Sequence, residues 1–104
     1  MEAYDEVRRR VGPDFPVLIK INAEDNIENG ATFEDCRYVT HELAARGIDA
    51  IELSCGTMAS GRLGPCRTRI DSAEKEAYNA EHAAQLAAEL DIPILLVGGL
   101  RSLK

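Results

Sequence analysis

Three short apolar runs constrain this chain more than anything else in it. They are Phe15-Pro16-Val17-Leu18-Ile19-Lys20-Ile21, Ile48-Asp49-Ala50-Ile51-Glu52-Leu53-Ser54 and Pro93-Ile94-Leu95-Leu96-Val97. The third runs without alternation, which suits a strand buried on both faces of a parallel sheet, although a short run does not by itself exclude a buried helix, and the first reads as a buried strand with a single charge near its end. The second alternates more, yet its apolar positions are short and β-prone. Before each run lies a stretch with helical spacing. Strands alternating with helices of this length imply right-handed βαβ crossovers and a parallel sheet. The expected order is helix, strand, helix, strand, helix, strand, and the fold class is α/β.

The helices carry their own punctuation. Glu2 to Val11 places Tyr4, Val7 and Val11 at helical spacing, and Gly12-Pro13 ends it. Arg8, Arg9 and Arg10 are read as a solvated helix face flanked by Glu2, Asp5 and Glu6. Thr32 and Asp35 stand in capping-box spacing at the start of a second helix, with Phe33, Cys36, Val39 and Leu43 as its apolar stripe. Gly47 is placed to close that helix in a left-handed conformation. A third helix is expected from Asp71 or Ser72, with Glu74 and Glu76 complementing its dipole and Ala77, Ala80, Ala84 and Ala87 as a small-residue stripe.

A length of 104 residues, 45% apolar and 29% charged, is ordinary for one small globular domain. A net charge of -6 argues against a nucleic-acid partner, which needs a basic face. No apolar run approaches the ~20 residues of a membrane span. The start, Met-Glu-Ala-Tyr-Asp-Glu, lacks the basic and apolar segments of a signal peptide. Cys36, Cys55 and Cys66 are odd in number and without Cys-x-x-Cys spacing, which suggests reduced thiols and a cytoplasmic setting. His41 and His82 share no ligand-like pattern with the cysteines, so no metal site is expected. Both are read as surface or packing residues.

Two stretches are candidates for function. Cys55 to Arg69 is a long loop with Gly56, Gly61, Gly64, Pro65 and three arginines, and loops of this size in small domains are usually functional or mobile. The third run ends in Gly98-Gly99-Leu100-Arg101-Ser102. Paired glycines let backbone N–H groups approach an anion, and Ser102 is placed to cap a following helix. The same residues also read as an ordinary strand-to-loop turn.

Together, "GPDFPVLIKINAEDNIENGATFEDCRYVTHELAARGIDAIELSCGT" and "DIPILLVGGLRS" resemble the NADH:flavin oxidoreductase family, the old yellow enzyme group with its NADH oxidase and dienoyl-CoA reductase relatives. The resemblance implies a partial (β/α)8 TIM barrel, about three-eighths of one, matching the fifth to seventh βα units, with residues 1–104 a single partial-barrel domain of a larger protein. It implies FMN at the C-terminal ends of the strands, NAD(P)H as electron donor and an activated alkene or similar small molecule as acceptor. It puts Lys20 against the N1–C2 carbonyl region of the flavin, where a cation stabilises the charge of the reduced ring; a snorkelling or ion-paired lysine is the alternative. It sets Gly98 and Gly99 at the FMN phosphate. Arg101 and Ser102 either assist there or only begin the next helix. Asn22, Ser54 and Gly56 fall on the same rim with weaker claims. Cys55 reads as a packed small residue. No catalytic residue is assigned: the family's substrate-binding histidines and proton-donating tyrosine have no counterpart in this stretch, and Tyr4, Tyr38 and Tyr78 offer none. The chain alone is expected to be inactive and to self-associate through open sheet edges. The alternatives are an FMN- or phosphate-binding module without turnover and a ligand-free, self-associating partial barrel.

Overall fold

The computed structural model describes residues 1–102. It is an α/β fold whose sheet has three parallel strands in the order β1-β2-β3: β1 (Leu18–Asn22), β2 (Ala50–Ser54) and β3 (Ile94–Leu96). The helices are α1 (Glu2–Val11), α2 (Phe33–Ala45) and α3 (Ala80–Glu89). Two 3₁₀ segments, Met58–Leu63 and Ala73–Lys75, interrupt the connection between β2 and α3. A helix capped by Ser102 would fall on residues 103–104, outside the described residues.

Strand register sorts the side chains into two faces. Ile19, Ile51 and Ile94 share one row, and Ile21, Leu53 and Leu96 the next. These rows pack into the core with Tyr4 of α1, Cys36 and Leu43 of α2, and Ala83 and Leu86 of α3. Burial lifts the Cys36 thiol to about 11, so this cysteine behaves as an apolar filler. The opposite face carries Leu18, Lys20, Glu52 and Leu95. Leu18 is 51% exposed and Leu95 40% exposed. The sequence predicts β3 buried on both faces and β1 buried; both are open on this face, and the structure corrects both expectations. All three helices pack on one side, so only β2, in the centre, is closed off from solvent along most of its length. β1 is also shorter than its apolar run: Phe15 is exposed and lies before the strand.

Local signals decide the helix ends. Thr32 accepts a bond from the Asp35 amide at 3.3 Å, and Asp35 returns one from the Thr32 amide at 2.8 Å. Gly47 takes φ +88° just beyond α2. Arg8 departs from the expected solvated face. Its guanidinium reaches the Phe15 carbonyl at 2.6 Å and Asp49 at 2.6 Å, tying α1 to the entrances of β1 and β2. Arg9 and Arg10 do stay on the surface with Glu6.

The third helix begins later than its sequence suggests. Residues 73–75 make one 3₁₀ turn, and Ala77 takes φ +50°, which breaks the helix before Ala80. That delay rotates the helix. Asn79, Ala83, Leu86 and Leu90 face the core, whereas Ala80, Ala84 and Ala87 face solvent. The alanine stripe is therefore the outer face. Leu86 and Leu90 bury more apolar surface than Ala84 and Ala87 and win the inner one.

Candidate functional site

Parallel strands deliver their C-terminal ends to one rim, and the loops leaving them build the site there. At this rim lies a cleft of about 400 Å³ lined by Lys20, Ser54, Pro65, Cys66, Arg67, Tyr78, Val97, Gly98 and Gly99. Lys20 comes from β1, Ser54 ends β2 and the diglycine follows β3. The fold thus brings Lys20, Gly98 and Gly99 to one cavity, although Gly98 lies 78 positions after Lys20 in the chain.

Lys20 is ion-paired across the sheet. Its Nζ lies 2.6 Å from Glu52 Oε1, on the residue directly opposite in register. The lysine side chain remains 60% exposed. It therefore faces open space rather than the core.

The diglycine has a local reason to be glycine. Gly98 and Gly99 take φ +111° and +69°. A Cβ on Gly98 would lie 2.6 Å from the Tyr78 ring, and one on Gly99 2.9 Å from it. The glycines admit an aromatic ring against the backbone. Tyr78 is fixed from its other end too, donating its hydroxyl proton to the Pro65 carbonyl at 2.9 Å. Arg67 stacks its guanidinium 4.3 Å from the centroid of the same ring. Asn79, next in sequence, donates its side-chain amide to the Val97 carbonyl at 2.9 Å, holding the end of β3.

Arg101 lies outside the wall of this cleft. Its guanidinium donates to the Ile70 carbonyl. Its amide donates to Glu76 Oε2 at 3.1 Å, and the Ser102 amide and hydroxyl reach the same oxygen at 2.9 and 3.0 Å. An internal carboxylate therefore occupies the Arg101 and Ser102 amides that follow the diglycine. These bonds hold the Glu76 carboxyl below its ordinary value, led by the one from the Arg101 amide.

The weaker candidates divide. Ser54 is buried and lines the cleft. Asn22 instead ties strand ends together, bonding the Gly56 carbonyl and Asp25 at 3.0 Å each. Gly56 sits at φ +74°, where a Cβ would collide with the Leu63 carbonyl oxygen. Both are structural. Cys55 is buried, with Arg67 Nη2 3.5 Å from its sulfur. A second cleft, about 410 Å³ along the β1 edge, includes Asp25 and Asp35. Their carboxylates are engaged by Asn22, Ala31 and Thr32, so it is a seam between loop and helix. Among the described residues, no group of three or more His, Cys, Asp or Glu is placed to hold a metal ion, and no helix is long and apolar enough to cross a membrane.

Sequence reasoning passed over Arg67 and Tyr78. The signal available was only a loop rich in glycine and arginine. Their contact depends on the loop folding back onto the diglycine, which no local spacing encodes.

No family model matches the chain, and no solved structure matches it. The chain is 23% identical over 103 residues to an NADH oxidase of Thermoanaerobacter brockii. That match covers 97% of this chain and 15% of the relative, so the chain spans about a seventh of the protein it matches and is distantly related to an oxidoreductase.

Proposed function

We propose that this chain is a flavin-holding segment of an NAD(P)H-dependent oxidoreductase of the old yellow enzyme type, a slice of a (β/α)8 barrel. The observation that carries the reading is the common cleft of Lys20, Gly98 and Gly99 at the C-terminal ends of parallel strands. The distant likeness to an NADH oxidase supports it. So does the one-sided sheet: in a barrel the face bearing Leu18, Lys20 and Leu95 is the interior, covered by the remaining strands.

The residues fit part of FMN. Lys20 supplies a cation for the negative charge of a reduced ring. Gly98 and Gly99 present backbone on the same wall, and about 400 Å³ falls in the range of small-molecule sites. Arg101 contributes through the loop: with Ser102 it anchors the diglycine turn to Glu76. FMN, when bound, supplies hydride transfer between NAD(P)H and an acceptor such as an activated alkene. The chain's own part is to bind the ring, set its charge environment and exclude water on one side.

Purification with and without added FMN tests this. The expected result is a yellow protein, or saturable quenching of FMN fluorescence that Lys20→Ala weakens several-fold. A colourless protein that leaves FMN fluorescence unchanged overturns the reading. NADH or NADPH consumption then separates a catalytic segment from a binding module. A second reading, self-association of a ligand-free partial barrel, is favoured by the exposed Leu18 and Leu95 face. Light scattering at micromolar concentration decides it: a monomer removes this second reading.

A further inference from the structure

Arg67 is the anomaly of the cleft. It is half-buried, its Nε is enclosed with no hydrogen-bond acceptor, and among the described residues it forms no ion pair. Its side-chain contacts are the Tyr78 ring and a long approach to the Cys55 sulfur. Cation–π stacking returns less than it costs to withdraw a guanidinium from water without an acceptor, even when only part of it is covered. Elsewhere in the molecule the partly covered arginines have carboxylates: Arg8 has Asp49 and Arg37 has Glu34 and Glu89. A stacked guanidinium without a counter-ion, on the wall of a cleft, is a preset oxyanion receptor, because its donors form a planar fork.

We propose that Arg67 binds an oxyanion of the cleft's ligand and that Tyr78 is its positioning residue. Tyr78 is clamped between the guanidinium and the Gly98-Gly99 backbone, so it transmits the position of the diglycine turn to the arginine. The shared chemistry is a phosphoryl or carboxylate group. Only its assignment to the phosphoryl of FMN rests on the flavin reading above.

The test begins without flavin. In ¹H–¹⁵N spectra the Arg67 Nε–H resonance, identified by its loss in Arg67→Lys, is followed during titration with inorganic phosphate. A saturable shift is expected, and phosphate affinity should fall about tenfold in Arg67→Gln, the scale of a charge-assisted hydrogen bond. Arg62→Gln, an exposed arginine of the same loop, should change nothing. No shift, or equal phosphate affinity in wild type and Arg67→Gln, overturns the proposal. Circular dichroism checks that Arg67→Gln is folded; if it is not, Arg67→Lys, which keeps the charge without the fork, should weaken binding by less than tenfold but measurably. FMN and riboflavin then identify the source. Loss of FMN but not riboflavin affinity in Arg67→Gln assigns the phosphoryl group. Equal FMN affinity in both proteins overturns that assignment. Phosphate binding that depends on Arg67 in a protein that takes no flavin keeps the oxyanion site and removes the flavin reading.

Discussion

Two polar clusters in this molecule use similar residues to opposite ends. One is the seam between α2 and α3, where Glu89 receives Arg37 at 2.9 Å, His41 at 2.8 Å and Gln85 at 3.1 Å. The other is the cleft, where Lys20, Arg67 and Tyr78 surround open space. In the seam the donors meet one carboxylate, which is drawn down to about 2, chiefly by His41 and then by Arg37 and Gln85. In the cleft one cation has a single carboxylate neighbour and the other has none among the described residues. A satisfied cluster holds elements together. An unsatisfied one has capacity left for a ligand.

Beneath both lies the apolar core, and its disruption should produce the largest effect. Leu86→Ala empties a fully buried position under the seam and should cost about 2–5 kcal/mol by denaturant unfolding. A cost below 1 kcal/mol would mean that α3 packs loosely and that the seam, not the core, holds it. Gly98→Val comes next. It places a branched side chain at φ +111° against Tyr78, so it should displace the ring, destabilise by about 1–3 kcal/mol and abolish any flavin binding. Retained FMN affinity would separate the diglycine from the site and leave the cleft no more open to a ligand than the seam.

Glu89→Gln probes the closed cluster by pH. The folded carboxyl is depressed, so its stabilisation is present above the unfolded value near 4.5 and is lost as pH falls toward about 2. Wild type and variant should therefore differ in thermal midpoint at pH 6 and converge by pH 2. A constant offset across that window would show that Glu89 acts by packing rather than charge. Lys20→Ala should have the smallest effect on folding, under about 1 kcal/mol, because its ion pair is exposed. Unfolding of this variant would move Lys20 into the closed class.

The boundary between legible and illegible follows the range of each interaction. The Thr32–Asp35 box and the Gly47 close span a few residues, so the α2 ends could be read directly. The start of α3 could not, because Glu74 and Glu76 look like a first helical turn. Glu76 is instead drawn to the amides of Arg101 and Ser102, 25 and 26 residues away. The grouping of Lys20 with the diglycine was suggested by family resemblance rather than by spacing. Arg67 on Tyr78 was not suggested at all.

What the amino-acid sequence determined by itself is the alternation of three apolar runs with three helical stretches, and hence parallel strands with their C-terminal ends on one rim. Apolar periodicity and backbone capping are local, and they act wherever the chain goes. The tertiary structure alone decided which face of the sheet stays open, which face of α3 turns inward, and which cation is left without a counter-ion. Those outcomes depend on competition for partners between distant segments, and no short stretch contains both competitors.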